Sequence, residues 1–166
     1  MARLPLVIDQ IAFARRYTLR LLDSTDMADW FRMPAGGISH IAWQVGHLAV
    51  AQYRLALERV RGPQPADREL IPEEYLALFG RTTTPDADPA NYPPAAAIRT
   101  VFDRVHEQVL RELPTLSEQD LDSPALRPHA LVSTKLWSLL WCAQHEAVHA
   151  GQIGLLRRGL GYPPVW

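Results

Sequence analysis

Two histidines and a glutamate form the first group of residues in this sequence that could do chemistry. His145, Glu146 and His149 spell HExxH, in which histidines one helical turn apart grip zinc and the glutamate activates water. Zinc proteases of this type take a further ligand downstream, yet residues 150–166 contain no His, Asp, Glu or Cys. Gln152 and Leu155 stand where the longer protease motif has its glycine and third histidine. The motif therefore does not indicate a protease.

The helical wheel places His145 and His149 on the same side as apolar residues of their helix, facing the core. Buried imidazoles are costly without partners, so two readings are open. The pair either forms hydrogen bonds within the core or binds one metal ion through both rings. We favour metal ligation, because side chains at positions i and i+4 can reach the same ion.

A third ligand has to come from upstream, where the candidates are His40, His47, His106 and His129. His47 lies at the middle of its helix, as His145 and His149 do, so these three meet at one level of a bundle. His40 is about 10 Å further along the axis, and His129 lies in a proline-flanked loop. His106 is also mid-helix and remains a competitor, although its charged neighbours are typical of a surface histidine.

The surroundings of His47 add a second indication of a polar site. His47 belongs to a narrow stripe with His40, Gln44 and Arg54 on a helix that is otherwise apolar nearly all round. Such a stripe faces either solvent or a polar cavity. Gly46 beside it permits close backbone approach or marks tight helix packing.

Other residues could take part in catalysis or close the site. Glu146 could accept a proton from metal-bound water, but it lies 100° from His145 on the wheel, where solvated glutamates are common. Gln152 lies on the same helix face as His149, where it is either a candidate hydrogen-bond donor or a residue that fills the core. Cys142 is not expected to be a nucleophile in apolar surroundings, although it or His106 could become a fourth ligand. The tryptophans expected to wall a pocket or fill the core are Trp43, Trp137 and Trp141.

Composition excludes several classes of protein. The chain has 166 residues, 48% of them hydrophobic, and a formal net charge of −1. This balance gives no global attraction to nucleic acid or anionic lipid, so we expect neither as a partner. A single cysteine, no apolar span of membrane length and no signal-peptide pattern at the N-terminus favour a cytoplasmic protein.

The distribution of the 14 prolines predicts an all-α fold in a single domain over residues 1–166. Four proline-free windows are long enough for bundle helices, and they are rich in helix-forming residues. We expect helix one to end near Asp23, a short turn, and helix two, antiparallel to it, over 38–60. After a long proline-rich crossover, helix three is expected over 95–113 and helix four over 133–158, with Trp166 packing at the end.

Helix two also predicts a homodimer. Besides a core stripe of Ile38, Ile41, Val45, Leu48 and Leu55, it carries a second apolar arc of Trp43, Val50, Tyr53 and Leu57. One helix rarely buries so wide an arc within its own bundle.

Two segments resemble the DinB/YfiT-like superfamily of metal-dependent proteins. They are IAWQVGHLA at 41–49 and HEAVHAGQIGLLRR at 145–158, followed by GYPPVW. The resemblance implies a four-helix bundle with a long crossover between helices two and three. It also implies a metal triad, which carries over to His47, His145 and His149, and a GQ pair, present as Gly151 and Gln152.

The resemblance implies function less specifically. The superfamily includes transferases and isomerases that use low-molecular-weight thiols, hydrolases, and many members without assigned chemistry. Three neutral imidazoles suit Zn²⁺ or Ni²⁺ and leave positions open for water or a thiolate. We therefore expect a metal-dependent enzyme acting on a small molecule by hydrolysis or thiol transfer. The alternative is a metal-stabilised binding or structural protein without turnover.

Overall fold

The fold is all-α over the residues described by the computed structural model, 2–165. Within this range there are helices and turns but no β-strand, apart from one isolated bridge between Pro124 and Thr134. The expected packing of Trp166 lies outside the described residues.

Four long helices and two short ones make up the fold. Their bounds are α1 Arg3–Asp23, α2 Ile41–Gln52, α3 Asp67–Leu70, α4 Glu73–Leu78, α5 Ala95–Glu112 and α6 Lys135–Gly159. The long helices correspond to the four proline-free windows and begin or end within a few residues of the predicted positions. Pro5 falls in the first turn of α1, where a missing backbone donor costs nothing. Thr134 caps α6 by accepting from the backbone N–H of Trp137.

The helix that packs most closely on α1 is α6, and the two run parallel. Arg15 contacts Glu146 near the middle of both helices, and Thr25, just beyond α1, accepts a hydrogen bond from Arg157 near the end of α6. Helix α2 runs antiparallel to α6 and therefore also to α1, as expected from the short turn. The parallel arrangement of α1 and α6 has no signature in the sequence.

Helix α2 begins later and continues less regularly than predicted. His40 precedes its first turn, and His40 Nδ1 accepts from the backbone N–H of Trp43, so the helix begins at Ile41. Ile38, expected in the core stripe, is 86% exposed in the preceding turn. A π-helical turn over Tyr53–Glu58 extends α2, followed by a last turn over Arg59–Arg61.

The second apolar arc of α2 is buried by the chain itself. Trp43, Val50, Tyr53 and Leu57 all belong to the core of the single chain. The argument for a dimer interface on this arc is therefore wrong, because the crossover and the neighbouring helices already cover it. The homodimer itself stays a prediction, which light scattering at micromolar protein would test.

The crossover over residues 62–94 packs along α2 and carries α3 and α4. The Tyr53 hydroxyl donates to Asp67 at 3.1 Å, which ties α3 to the end of α2. Phe79 follows α4 and is fully buried. An added Cβ at Gly46 would lie 2.5 Å from the Phe79 ring, so this glycine is what allows the crossover to approach α2.

None of the helices in residues 2–165 combines the length and the apolar composition that crossing a membrane requires.

Candidate metal centre

Three histidines from two antiparallel helices meet in one cluster. His47 on α2 and His145 and His149 on α6 each offer a ring nitrogen, and these three atoms lie within 4.8 Å of one another. Further along the same two helices, the Ser138 hydroxyl donates to the carbonyl of Leu55, which fixes the register between them. The positions of these three histidines along their helices predicted that they would meet, and the structure brings them together.

A backbone carbonyl orients the imidazole of His47. His47 Nδ1 lies 2.8 Å from the carbonyl oxygen of Phe79. A carbonyl oxygen only accepts, so Nδ1 carries the proton and donates it, which leaves Nε2 with a free lone pair. Trp43 stacks on the other side of the ring, with centroids 4.8 Å apart and planes 10° from parallel. The His47 ring is therefore held in one orientation with Nε2 free to bind an ion.

A side-chain amide orients His149 in the same way. The amide nitrogen of Gln44 donates to Ser39 Oγ at 2.9 Å, so the amide oxygen faces His149 Nδ1 and accepts its proton. The remaining nitrogen of His149 is then free to bind an ion. Oriented imidazoles with a held Nδ1–H are the usual arrangement in protein metal sites.

The spacing and protonation of the imidazoles fit a divalent ion. His47 Nε2 and His145 Nε2 are 3.4 Å apart, and two nitrogens bound tetrahedrally to zinc at about 2.0–2.1 Å are separated by about 3.3–3.4 Å. Burial lowers the pKa of His145 to about 4 and that of His149 to about 3, and it also lowers the pKa of His47. All three rings are neutral at pH 7, as metal ligands must be. A proton shared between His47 and His145 would give a similar distance, so metal analysis has to separate the two cases.

A cavity of about 380 Å³ opens beside the cluster. His47 and His145 form one part of its wall, and Trp141 lies next to them. The remaining wall includes arginines from the end of α2 and from the crossover, together with residues of the loop before α6. The cavity is large enough for a small molecule to contact both the histidines and the opposite wall.

A second, more apolar groove of about 740 Å³ lies on the far side of Gln44. Gln152 lines this groove together with Trp43 and Leu155. Its side chain is exposed, and it makes no hydrogen bond within the described residues. The structure thus places Gln152 near the cluster without giving it a partner there, and its catalytic role stays a prediction.

Glu146 does not lie where a proton acceptor at the metal would. Its carboxylate accepts from Arg15 at 2.7 and 3.3 Å, and both side chains are buried. The 100° offset from His145 turns Glu146 toward α1, not toward solvent or the cavity. The expectation of a catalytic Glu146 is therefore corrected: the HExxH glutamate belongs to a buried ion pair.

The other candidate ligands also lie outside the cluster. His40 caps α2, and its Nε2 donates to the carbonyl of Asp86 at 3.1 Å. His106 contacts the side chain of Gln52 at 3.1 Å. Cys142 is fully buried, and burial raises the pKa of its thiol far above the usual range. In the described part of the chain, no further His, Cys, Asp or Glu joins the three histidines.

The tryptophans divide between the site and the surface. Trp43 stacks on His47, and Trp141 lies edge-on to His145 and lines the cavity. Trp137 is more than half exposed and contributes neither to the histidine cluster nor to the cavity. Sequence reasoning did not identify the Phe79 carbonyl, which is a backbone group and has no signature in the sequence. The polar stripe of α2 did contain Gln44, which could have been recognised as the partner of a histidine.

An all-α chain with three convergent, neutral imidazoles, two of them oriented by hydrogen bonds, defines a protein able to hold a divalent metal ion. The family model of the DinB superfamily matches residues 10–153, which include all three histidines. The chain therefore belongs to the DinB superfamily, and the earlier resemblance is confirmed. No curated protein matches the sequence.

Proposed function

We propose that this protein is a metal-dependent enzyme that acts on a small molecule by hydrolysis or by transfer of a low-molecular-weight thiol. The observation that carries the proposal is that three imidazoles converge beside a cavity without a fourth protein ligand among residues 2–165. Structural zinc sites normally close with four protein ligands, whereas catalytic sites keep three and leave one position open.

The residues around the cluster have distinct parts in this proposal. His47, His145 and His149 would hold the ion, for which Zn²⁺ and Ni²⁺ are the preferred identities. When bound, such an ion supplies Lewis acidity and lowers the pKa of a coordinated water or thiol. Phe79 and Gln44 keep two of the rings in the correct tautomer. Trp43 and Trp141 shield the histidines, which limits the access of water.

The second candidate is a metal-stabilised protein without turnover. A protein ligand at the fourth position would favour it, and Cys142 is one of the candidates for that position. Its thiol is buried and lies outside the ligand cluster. Substitution Cys142→Ser should therefore leave the metal content unchanged, whereas its loss would support a closed, structural site.

Metal analysis of the purified protein, with spectroscopy of the Co²⁺-substituted form, tests the proposal. We expect one divalent ion per chain, and addition of 2-mercaptoethanol should produce a thiolate-to-cobalt absorption band. Such a band requires a position that an external ligand can occupy. The His106→Gln variant serves as a control, because His106 lies outside the cluster and should not alter either result.

Two results would contradict the proposal. Purified protein that binds no Zn²⁺, Ni²⁺ or Co²⁺ under any loading condition would exclude a metal enzyme. Stoichiometric metal whose spectrum does not respond to thiol, or to other small ligands such as azide, would support the structural alternative. If an open site is found, hydrolysis and thiol-transfer substrates can be screened on the Zn²⁺- and Ni²⁺-loaded forms.

A further inference from the structure

The cavity beside the histidines also has a strongly basic lining. Arg54 and Arg59 extend into it from the end of α2, five residues apart across the π-helical turn. Arg81 reaches it from the crossover, and His129 from the loop before α6. Three arginines, two from the end of α2 and one from the crossover, thus line one cavity of about 380 Å³.

These arginines are not neutralised by the protein. Within residues 2–165, neither Arg54 nor Arg81 forms an ion pair with a carboxylate, and neither does Arg59. The nearest acidic group on the same stretch of helix, Glu58, pairs with Arg127 at 3.2 Å. No aspartate or glutamate lines the cavity.

The hydrogen bonds of Arg59 show an unused donor. Its two terminal nitrogens donate to the carbonyl oxygens of Arg54 and Pro128, at 3.2 and 3.3 Å. Its Nε is buried and has no acceptor in the described part of the chain. A buried donor without an acceptor is unfavourable, so among the described residues the guanidinium of Arg59 keeps an unused donor and an uncompensated charge beside the cavity.

Like charges gathered around one cavity repel one another, and a bound anion would relieve that repulsion. We propose that this cavity is an anion-binding subsite for a small molecule with carboxylate or phosphate oxygens, held by Arg54, Arg59 and Arg81. This inference rests on the proposed function and extends it. Because the same cavity is lined by His47 and His145, the substrate itself is an anion whose reacting group faces the histidine cluster.

Isothermal titration calorimetry with inorganic phosphate and with succinate tests the subsite. The measurement uses the protein as purified, with the metal content of each sample determined in parallel. We expect Arg54→Gln and Arg81→Gln each to weaken binding about tenfold, since each removes a charge-assisted hydrogen bond. A preference for one of the two probes would identify the anionic group.

The matched control is Arg68→Gln. Arg68 is an exposed arginine on α3 that lines neither cavity, so its loss changes the net charge equally without touching the subsite. Its affinity for both probes should equal that of the parent protein. Thermal unfolding of each variant shows that it is folded.

The outcomes separate this inference from the proposed function. If neither probe binds, or if Arg54→Gln and Arg81→Gln bind no more weakly than Arg68→Gln, the anion subsite is refuted whatever the metal content. If the variants weaken binding while no sample takes up metal, the subsite stands and the metal-dependent function fails.

Discussion

Arg15 on α1 donates through Nε to Oε1 of Glu146 on α6 at 2.7 Å, and both side chains are almost completely buried. Arg15 also donates to the carbonyl of Phe102 on α5 and to Gln52 at the end of α2. One guanidinium therefore connects all four long helices. The glutamate of the HExxH segment completes this connection, while the two histidines of the same segment belong to the cluster and His145 lines the cavity.

The first prediction concerns this ion pair. Glu146→Gln removes the charge that compensates a buried arginine and should lower the free energy of unfolding by about 3–5 kcal/mol. Asp122→Asn is the matched control, because the ion pair of Asp122 with Arg3 is exposed to solvent and its loss should change the stability far less. Chemical denaturation measures both. Unchanged stability of Glu146→Gln together with a lost metal ion would instead place Glu146 in the metal site.

The second prediction concerns the ligands. His47→Ala should abolish stoichiometric metal binding, because two histidines from one helix would be the only ligands left. His106→Gln should retain it, since His106 contacts Gln52 outside the cluster. Calorimetric titration of metal-free protein with Zn²⁺ distinguishes the two. Equal affinity of His47→Ala and the parent protein would mean that the third ligand is another residue.

The third prediction concerns the orientation of His149. Gln44→Leu removes the acceptor of its Nδ1 proton and should weaken metal binding about 10- to 100-fold. Gln152→Leu makes the same chemical change at an exposed glutamine nearby and should leave the affinity unaltered. The same zinc titration provides the measurement. An equal loss in both variants would show that Gln152 also supports the site.

The fourth prediction concerns the contact between α2 and the crossover. In Gly46→Ala the new Cβ would overlap the Phe79 ring, so the crossover must move and the carbonyl that orients His47 moves with it. We expect a stability loss of about 1–3 kcal/mol and weaker metal binding. In Gly151→Ala nothing lies within 4 Å of the new Cβ, and the helix should gain up to about 1 kcal/mol. Thermal unfolding measures the stability of both variants. A Gly46→Ala protein more stable than Gly151→Ala would contradict the prediction.

The fifth prediction concerns pH. Burial lowers the pKa of His145 to about 4 and that of His106 and His149 to about 3, against an ordinary value of 6.5. Between pH 6.5 and about 3 the unfolded chain binds more protons than the folded one, so metal-free protein loses stability as the pH falls through this window. Urea denaturation at several pH values measures the slope.

A single substitution gives the control for the pH dependence. His106→Gln removes one titrating group and keeps an amide that can contact Gln52. Its stability should fall less steeply between pH 6.5 and 4 than that of the parent protein. A slope equal to or steeper than that of the parent would show that His106 is not buried in its neutral form.

The sequence predicted the parts of this structure that depend on local chemistry. The long proline-free windows located the four long helices, and positions along the helices favoured His47 over His40. The orientation of Glu146 was not predictable, because its partner Arg15 lies 131 residues away and its wheel position suits either a site edge or a helix contact. The π-helical turn over Tyr53–Glu58 has no signature in the sequence, yet it brings Arg54 and Arg59 to the same wall.

The three histidines come from α2 and α6, two helices that are far apart in the chain. During synthesis the cluster can therefore form only after α6 has been made. His47 precedes His145 by 98 residues, and a ribosome adds about 5–20 residues per second, so about 5–20 s separate the two. Through that interval the nascent chain presents only one of the three imidazoles of the cluster, and a single imidazole binds metal weakly. Only when α6 docks along α2 do three nitrogens meet. The complete ligand set that an ion would need therefore exists only in chains in which α6 has docked along α2.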